Sequence, residues 1–173
     1  MNFESYGPFE LDRKFSHRWR SKFWKNVETT EPNLSNAIGC YVFCLRFGSK
    51  TLPWYVGQTI NQNGFQGEVF QQHKVDHYRE IMAENSRHRP MLMLFPLMTD
   101  TYWNFSKSRK TGLGAIEWLE TTLISMALSV NPEIANTSKT LFPNNVFVNG
   151  VSGTQFPGRK SNAGKFAYEL FKT

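Results

Sequence analysis

Two neighbouring stretches decide the architecture: Gly39-Cys-Tyr-Val-Phe-Cys-Leu-Arg46 and Thr51-Leu-Pro-Trp-Tyr-Val-Gly57. The first is apolar at almost every position, as expected of a strand covered on both faces. Phe47-Gly-Ser-Lys50 between them reads as a turn, so the second stretch is the returning arm of a hairpin. Pro53 has no N–H to give to a ladder, which puts that end of the arm at an edge or an irregularity. A hairpin centred on Gly48 sets Tyr41 directly opposite Tyr55, with both phenols on one face.

Downstream of the hairpin, the stretch from Gly64 to Asn85 is helical in pattern, with Phe65, Val69, Phe70, Tyr78, Ile81 and Met82 as inner residues. Met91-Leu-Met-Leu-Phe95 is a short third strand stopped by Pro96. A basic loop, Ser106-Lys-Ser-Arg-Lys-Thr-Gly112, leads into a helix over Leu113 to Val130, which Pro132 closes. Beyond it, Asn149-Gly150 signals a turn, and a last helix is expected from Ser161 or Asn162 onward. Upstream, Phe15, Trp19, Phe23 and Val27 recur every fourth position among basic residues, which predicts an amphipathic helix from Leu11 to Val27. Its aromatic stripe suits packing on the core, while its basic face suits either solvent or phosphate.

The reading is therefore an α+β domain: a small central antiparallel or mixed sheet of about three strands flanked by helices. The core spans about residues 39–136, with an N-terminal helical extension (1–38) and a C-terminal extension (137–173). At 173 residues there is room for one domain and not two comfortable ones. A hydrophobic fraction of 40% with 15% aromatics excludes a disordered chain. No apolar run approaches the ~18 residues of a membrane span, and the start, Met1-Asn2-Phe3-Glu4-Ser5, lacks a signal-peptide pattern. A cytoplasmic protein without membrane attachment is expected. The net charge of +6 suits an anionic partner, nucleic acid first among them, although many small proteins are as basic without binding any. Cys40 and Cys44 stand ~13 Å apart on a strand, too far for a bridge.

Three groups of residues carry chemistry. The first is the tyrosine pair. The second is Glu120: on a wheel started at Ile116 it falls about +40° away, inside the arc of Leu119, Leu123, Ala127 and Val130. A carboxylate there needs a cation, several donors or a proton, because an unpaired charge costs several kcal/mol. A divalent metal would meet that need, and so would a nearby Arg or Lys. The third is the run His73, Lys74, His77 and Tyr78. His73 and His77 have the spacing of half a zinc site, but no second His or Cys pair completes it.

Taken together these residues resemble the GIY-YIG nuclease superfamily. Gly39-Cys40-Tyr41 stands where the first tripeptide belongs, and Tyr55-Val56-Gly57, followed by Gln58-Thr59, where the second belongs. Leu119-Glu120-Thr-Thr-Leu123-Ile124 and Asn131-Pro132-Glu-Ile-Ala-Asn136 are similar to the family's metal-binding helix and closing asparagine. The resemblance implies a nuclease that uses Mg2+ or Mn2+ to hydrolyse phosphodiester bonds of DNA, or else of RNA. The tyrosines would position or deprotonate the attacking water, Glu120 would hold the metal and Asn136 would order the site. Tyr41, Tyr55, Glu120 and Asn136 are then expected on one concave surface.

One departure stands out. The family usually carries an arginine on the helix after the second tripeptide, whereas Gly64 to Tyr78 contains none. His73 and Lys74 are the nearest substitutes, with His73 expected beside Tyr55 and Lys74 on phosphate or solvent. The alternative is a nucleic-acid-binding module on a nuclease scaffold with weak or lost catalysis, and a protein-interaction domain is a third reading. Lys107, Arg109, Lys110, Arg159 and Lys160 are candidate phosphate contacts.

Overall fold

The computed structural model describes residues 2–99 and 104–140. Two short strands, β1 (Asn2–Phe3) and β2 (Tyr6–Glu10), precede helix α1 (His17–Thr30). The hairpin follows as β3 (Gly39–Phe47) and β4 (Lys50–Thr59), then α2 (Gly64–Glu68), α3 (Gln72–Glu84), β5 (Arg89–Met98) and α4 (Arg109–Val130). The class is α+β, but the sheet has five strands rather than about three. β5, β3 and β4 lie side by side and antiparallel, while β1 and β2 pair along the outer edge of β5.

Residues 2–3 and 6–10 thus belong to the sheet and not to a helix. Strands of two and five residues are too short to show periodicity, and only β5 beside them supplies a partner. Helix α1 starts six residues later than its stripe suggests, where Ser16 Oγ accepts the Trp19 N–H at 3.3 Å. The stripe itself turns inward: Phe15, Phe23 and Val27 are buried and Trp19 packs beside them. The helix expected over 64–85 is two, α2 and α3, separated at 69–71. β5 runs through both of its prolines, because each still offers a carbonyl: Pro90 accepts the Leu11 N–H and Pro96 the Glu4 N–H. The expected turn at Asn149-Gly150 and the last helix lie outside the described residues.

The sheet separates two cores. Tyr41, Phe43, Leu45, Leu92 and Leu94 face α1 and α3, joining Phe15, Phe65, Val75 and Tyr78. Val42, Cys44, Val56 and Met91 face α4 through Ile124, Ala127 and Leu128. Strict alternation along β3 creates both layers, and this is why that strand is apolar throughout. Both thiols are free and buried, and burial pushes Cys44 up to about 12 and Cys40 further still.

Helix α4 departs from the wheel in one respect. Its buried side chains are Ile116, Ile124, Ala127 and Leu128, so the inner arc is turned toward Glu120, and Val130 is left 57% exposed. Contrary to the expectation from apolar runs, Gly112–Val130 is long and apolar enough to cross a membrane by length and composition, a property shared by core helices.

Candidate active site

The hairpin register contains a bulge. Cys44 pairs with Pro53 whereas Phe43 pairs with Tyr55, so Trp54 is the extra residue. Tyr55 therefore stands opposite Phe43, and Tyr41 opposite Gly57. This corrects the direct opposition of the two tyrosines. They share a face, but diagonally, with ring centroids 6.3 Å apart.

Tyr41 lies across Gly57. A Cβ built on Gly57 would sit 2.9 Å from Tyr41 Cε2 and closer still to Cζ and the hydroxyl, so the ring fits there only over glycine. Tyr41 is fully buried, and its hydroxyl neighbours that of Tyr78 without forming a hydrogen bond of good geometry. Desolvation holds both phenols well above their ordinary range. Tyr41 is thus a neutral, buried group beneath Tyr55.

A cleft of about 320 Å³ opens along β4 and brings together Tyr55, Gln58, His73, Lys74, Glu120 and Asn136. β4 is the last strand of the sheet, so its outer edge is unpaired by any other strand. The chain after α4 closes that edge. The Asn131 side chain donates to the Pro53 carbonyl at 2.8 Å, and the Ala135 N–H to the Trp54 carbonyl at 2.8 Å. Asn136 accepts the Val56 N–H at 2.9 Å and donates to the Val56 carbonyl at 2.8 Å. An asparagine side chain carries one acceptor and one amide donor group, so it can satisfy both exposed groups of a single edge residue. Asn136 consequently orders the wall of the cleft.

Around the edge of β4 the two sides of the sheet meet. Tyr55 reaches the cleft from the α3 side and Glu120 from α4, which packs on the other face. Of the four residues expected on one surface, Tyr55, Glu120 and Asn136 converge there. Tyr41 does not line the cleft, because its side chain rises into the core on the face away from α4.

The residue that meets Tyr55 is Lys74 rather than His73. Lys74 Nζ donates to the Tyr55 hydroxyl at 2.5 Å. His73 lines the cleft as an exposed side chain. His77 instead stacks against the Tyr55 ring, 6.4 Å between centroids and 15° between planes, with Nδ1 3.5 Å from the Glu80 carboxylate. Because an ammonium only donates, the Tyr55 oxygen accepts from Lys74 and its own O–H is directed elsewhere.

The Glu120 side chain is 13% exposed and forms an ion pair with Lys139. Lys139 has no signal in the sequence, since it follows the last recognisable motif residue by three positions. Gln58 follows the second tripeptide, which assigns it no role; its Oε1 is buried without a hydrogen-bond partner among the described residues. Among the described residues no three His, Cys, Asp or Glu side chains gather as a metal site. The oxygens present, a carboxylate and an orphaned amide carbonyl, are hard donors. They fit a cation such as Mg2+, which keeps several waters and takes one or two protein carboxylates.

The remaining basic candidates lie apart or outside the description. Lys107 is exposed and borders a separate hollow with Asn33, Asn36 and Asn61. Arg109 and Lys110 open α4, with their side chains outside the described set, and Arg159 and Lys160 lie beyond the described residues. No protein-family model, curated protein or solved structure matches the chain.

Proposed function

We propose that the chain is a divalent-metal-dependent endonuclease of GIY-YIG type that hydrolyses phosphodiester bonds of DNA. The observation that carries this reading is the cleft at the β4 edge, where the Tyr55–Lys74 pair, Glu120 and Asn136 share one concave surface. Glu120 would hold Mg2+ or Mn2+, with Gln58, which lines the same cleft, as a second oxygen donor. The ion would supply charge stabilisation for the phosphoryl oxygens.

The chain's own residues do the rest. Lys74 places a fixed positive charge where the resemblance lacks its arginine, 2.5 Å from the Tyr55 oxygen. Held there, it orients the phenol and stands ready to offset charge on a phosphate. Lysine acts as a point charge, without the bidentate fork of arginine, which argues for a slow enzyme. Asn136 keeps β4 in place, so Tyr55 retains its position against α3. In the reaction, a water gives up a proton as its oxygen bonds to phosphorus, one ester P–O bond breaks, and the departing oxygen takes a proton.

The test is incubation of supercoiled plasmid with the protein in Mg2+ or Mn2+, beside Glu120→Ala. Nicking by the wild type and not by the variant supports the reading; no nicking with either ion overturns it. A second reading, a nucleic-acid-binding module with lost catalysis, is favoured by the Glu120–Lys139 ion pair, which already occupies the carboxylate. It predicts DNA binding without nicking.

A further inference from the structure

At the closed end of the β3–β4 hairpin, well away from the cleft, two arginines stand directly opposite each other. Arg46 on β3 is the register partner of Arg89 on β5, and both are exposed. Like charges in facing positions of a sheet repel, and a carboxylate between them would be the simplest remedy. Among the described residues none pairs with either. Arg46 donates through Nε to the Gly48 carbonyl at 3.2 Å and forms no ion pair with a described residue. Arg89, its neighbour Arg87 and Lys50 across the turn make no hydrogen bond or ion pair to a side chain among the described residues. Of the carboxylates at the end of β2 and just past it, Glu10 sits opposite Met91 and Asp12 accepts the Lys14 N–H at 2.7 Å; neither forms an ion pair with Arg89 among the described residues.

Phe47, the next residue after Arg46, turns to the opposite face of the sheet, where it is 57% exposed and packs on His88 with 5.0 Å between ring centroids. Both members of the facing pair are arginines, whose planar donors match phosphate oxygens in pairs.

We propose that the hairpin end, through Arg46 and Arg89, is a second phosphate-contacting surface for nucleic acid, separate from the cleft. The inference rests on the nucleic-acid half of the proposed function and does not require cleavage. Thr51, the register partner of Arg46, and Tyr55 are four residues apart on β4, roughly 13 Å at ~3.3 Å per residue. On B-DNA that length spans about four phosphates of one strand, at ~3.4 Å each. One duplex lying along the hairpin reaches both places. The repulsion between Arg46 and Arg89 is then relieved when each takes a neighbouring phosphate, so the surface is preorganised for anions at some expense to the free protein.

The test uses the full chain carrying Glu120→Ala, so that cleavage does not intervene, and follows binding of a labelled duplex as a function of salt. Each phosphate contact contributes about 0.9 to the slope of log K against log salt. Arg46→Ala with Arg89→Ala is expected to reduce that slope by about 1.8 and to raise the melting temperature, since a repulsive pair is gone. Arg18→Ala with Lys22→Ala, an equal charge change on the exposed face of α1, is expected to leave the slope unaltered. Equal losses from both double variants, or an unchanged slope in the hairpin variant, would overturn the proposal. So would hairpin-dependent binding to vesicles rich in phosphatidylserine with none to the duplex. Nicking by the parent protein is scored separately, which keeps a failure of this surface distinct from a failure of the cleft.

Discussion

Lys74 and Tyr55 are joined by a direct hydrogen bond, Nζ to the hydroxyl at 2.5 Å, linking α3 to the edge strand β4. The ammonium lies 4.9 Å from the centre of the same ring. Tyr55 is thus held by Lys74 at its oxygen and by His77 at its face. Lys74→Ala and Tyr55→Phe are each expected to slow plasmid nicking by about 10²-fold, the cost of one well-placed donor. The double variant should be little worse than the slower single, because the pair acts as a unit. His73→Ala should stay near the wild-type rate. Wild-type nicking by Lys74→Ala would mean that another cation serves the phosphate.

Lys139 competes with any metal for Glu120. Removing the lysine frees the carboxylate without altering its placement on α4. Lys139→Ala is expected to lower the Mg2+ concentration for half-maximal nicking by roughly two- to fivefold, as befits a partly exposed ion pair worth up to about 1 kcal/mol. Glu120→Gln should abolish the metal response. A Mg2+ titration of the nicking rate decides both.

Asn136 is expected to report on stability as well as on rate. Asn136→Ala leaves the Val56 N–H and carbonyl at the β4 edge without their shared partner. A loss of about 2 kcal/mol in urea unfolding is expected, at the scale of two part-buried polar groups left unpaired. Nicking should fall along with it, since β4 carries Tyr55. A variant as stable as the wild type would remove Asn136 from this role.

Tyr41 and Tyr78 enter the folded protein neutral, with their ionisation pushed well above the ordinary range by burial. A raised folded pKa means that the folded state keeps protons which the unfolded chain releases above about pH 10. Stability is therefore fully present below that pH and falls as pH rises toward the folded values. The fall begins near pH 9, where an unfolded thiol ionises while Cys40 and Cys44 stay protonated. It steepens near pH 10, by up to about 1.4 kcal/mol per pH unit for each phenol. Tyr41→Phe should flatten the alkaline arm of a stability profile and leave nicking intact, because the Tyr41 hydroxyl lies outside the cleft. Loss of nicking in a folded Tyr41→Phe variant would return that hydroxyl to the chemistry.

Much of this arrangement is legible in short windows of sequence. The nearly unbroken apolar run over residues 39–46 marks a strand buried on both sides. The turn at Gly48 closes the hairpin. The 3.6-residue spacing of Ile116, Ala127 and their neighbours brings Glu120 within the inner arc of α4. Each of these signals arises from residues a few positions apart, and periodicity is a local property.

Other features depend on partners distant in the chain. The bulge at Trp54 is set by how β4 lies against β3, and it moves Tyr55 from Tyr41 to Phe43. One residue of register decides which side chains meet, and no window contains that information. Whether Lys74 or His73 turned toward Tyr55 depended on the rotation of α3 over the sheet. Asn136 and Lys139 acquire their roles only when the chain after α4 folds back along β4, to Val56 and to Glu120. Local periodicity and turn chemistry thus set the elements and the faces they bury. Which charged and polar groups became neighbours followed from packing, because those contacts join residues 19 to 80 positions apart.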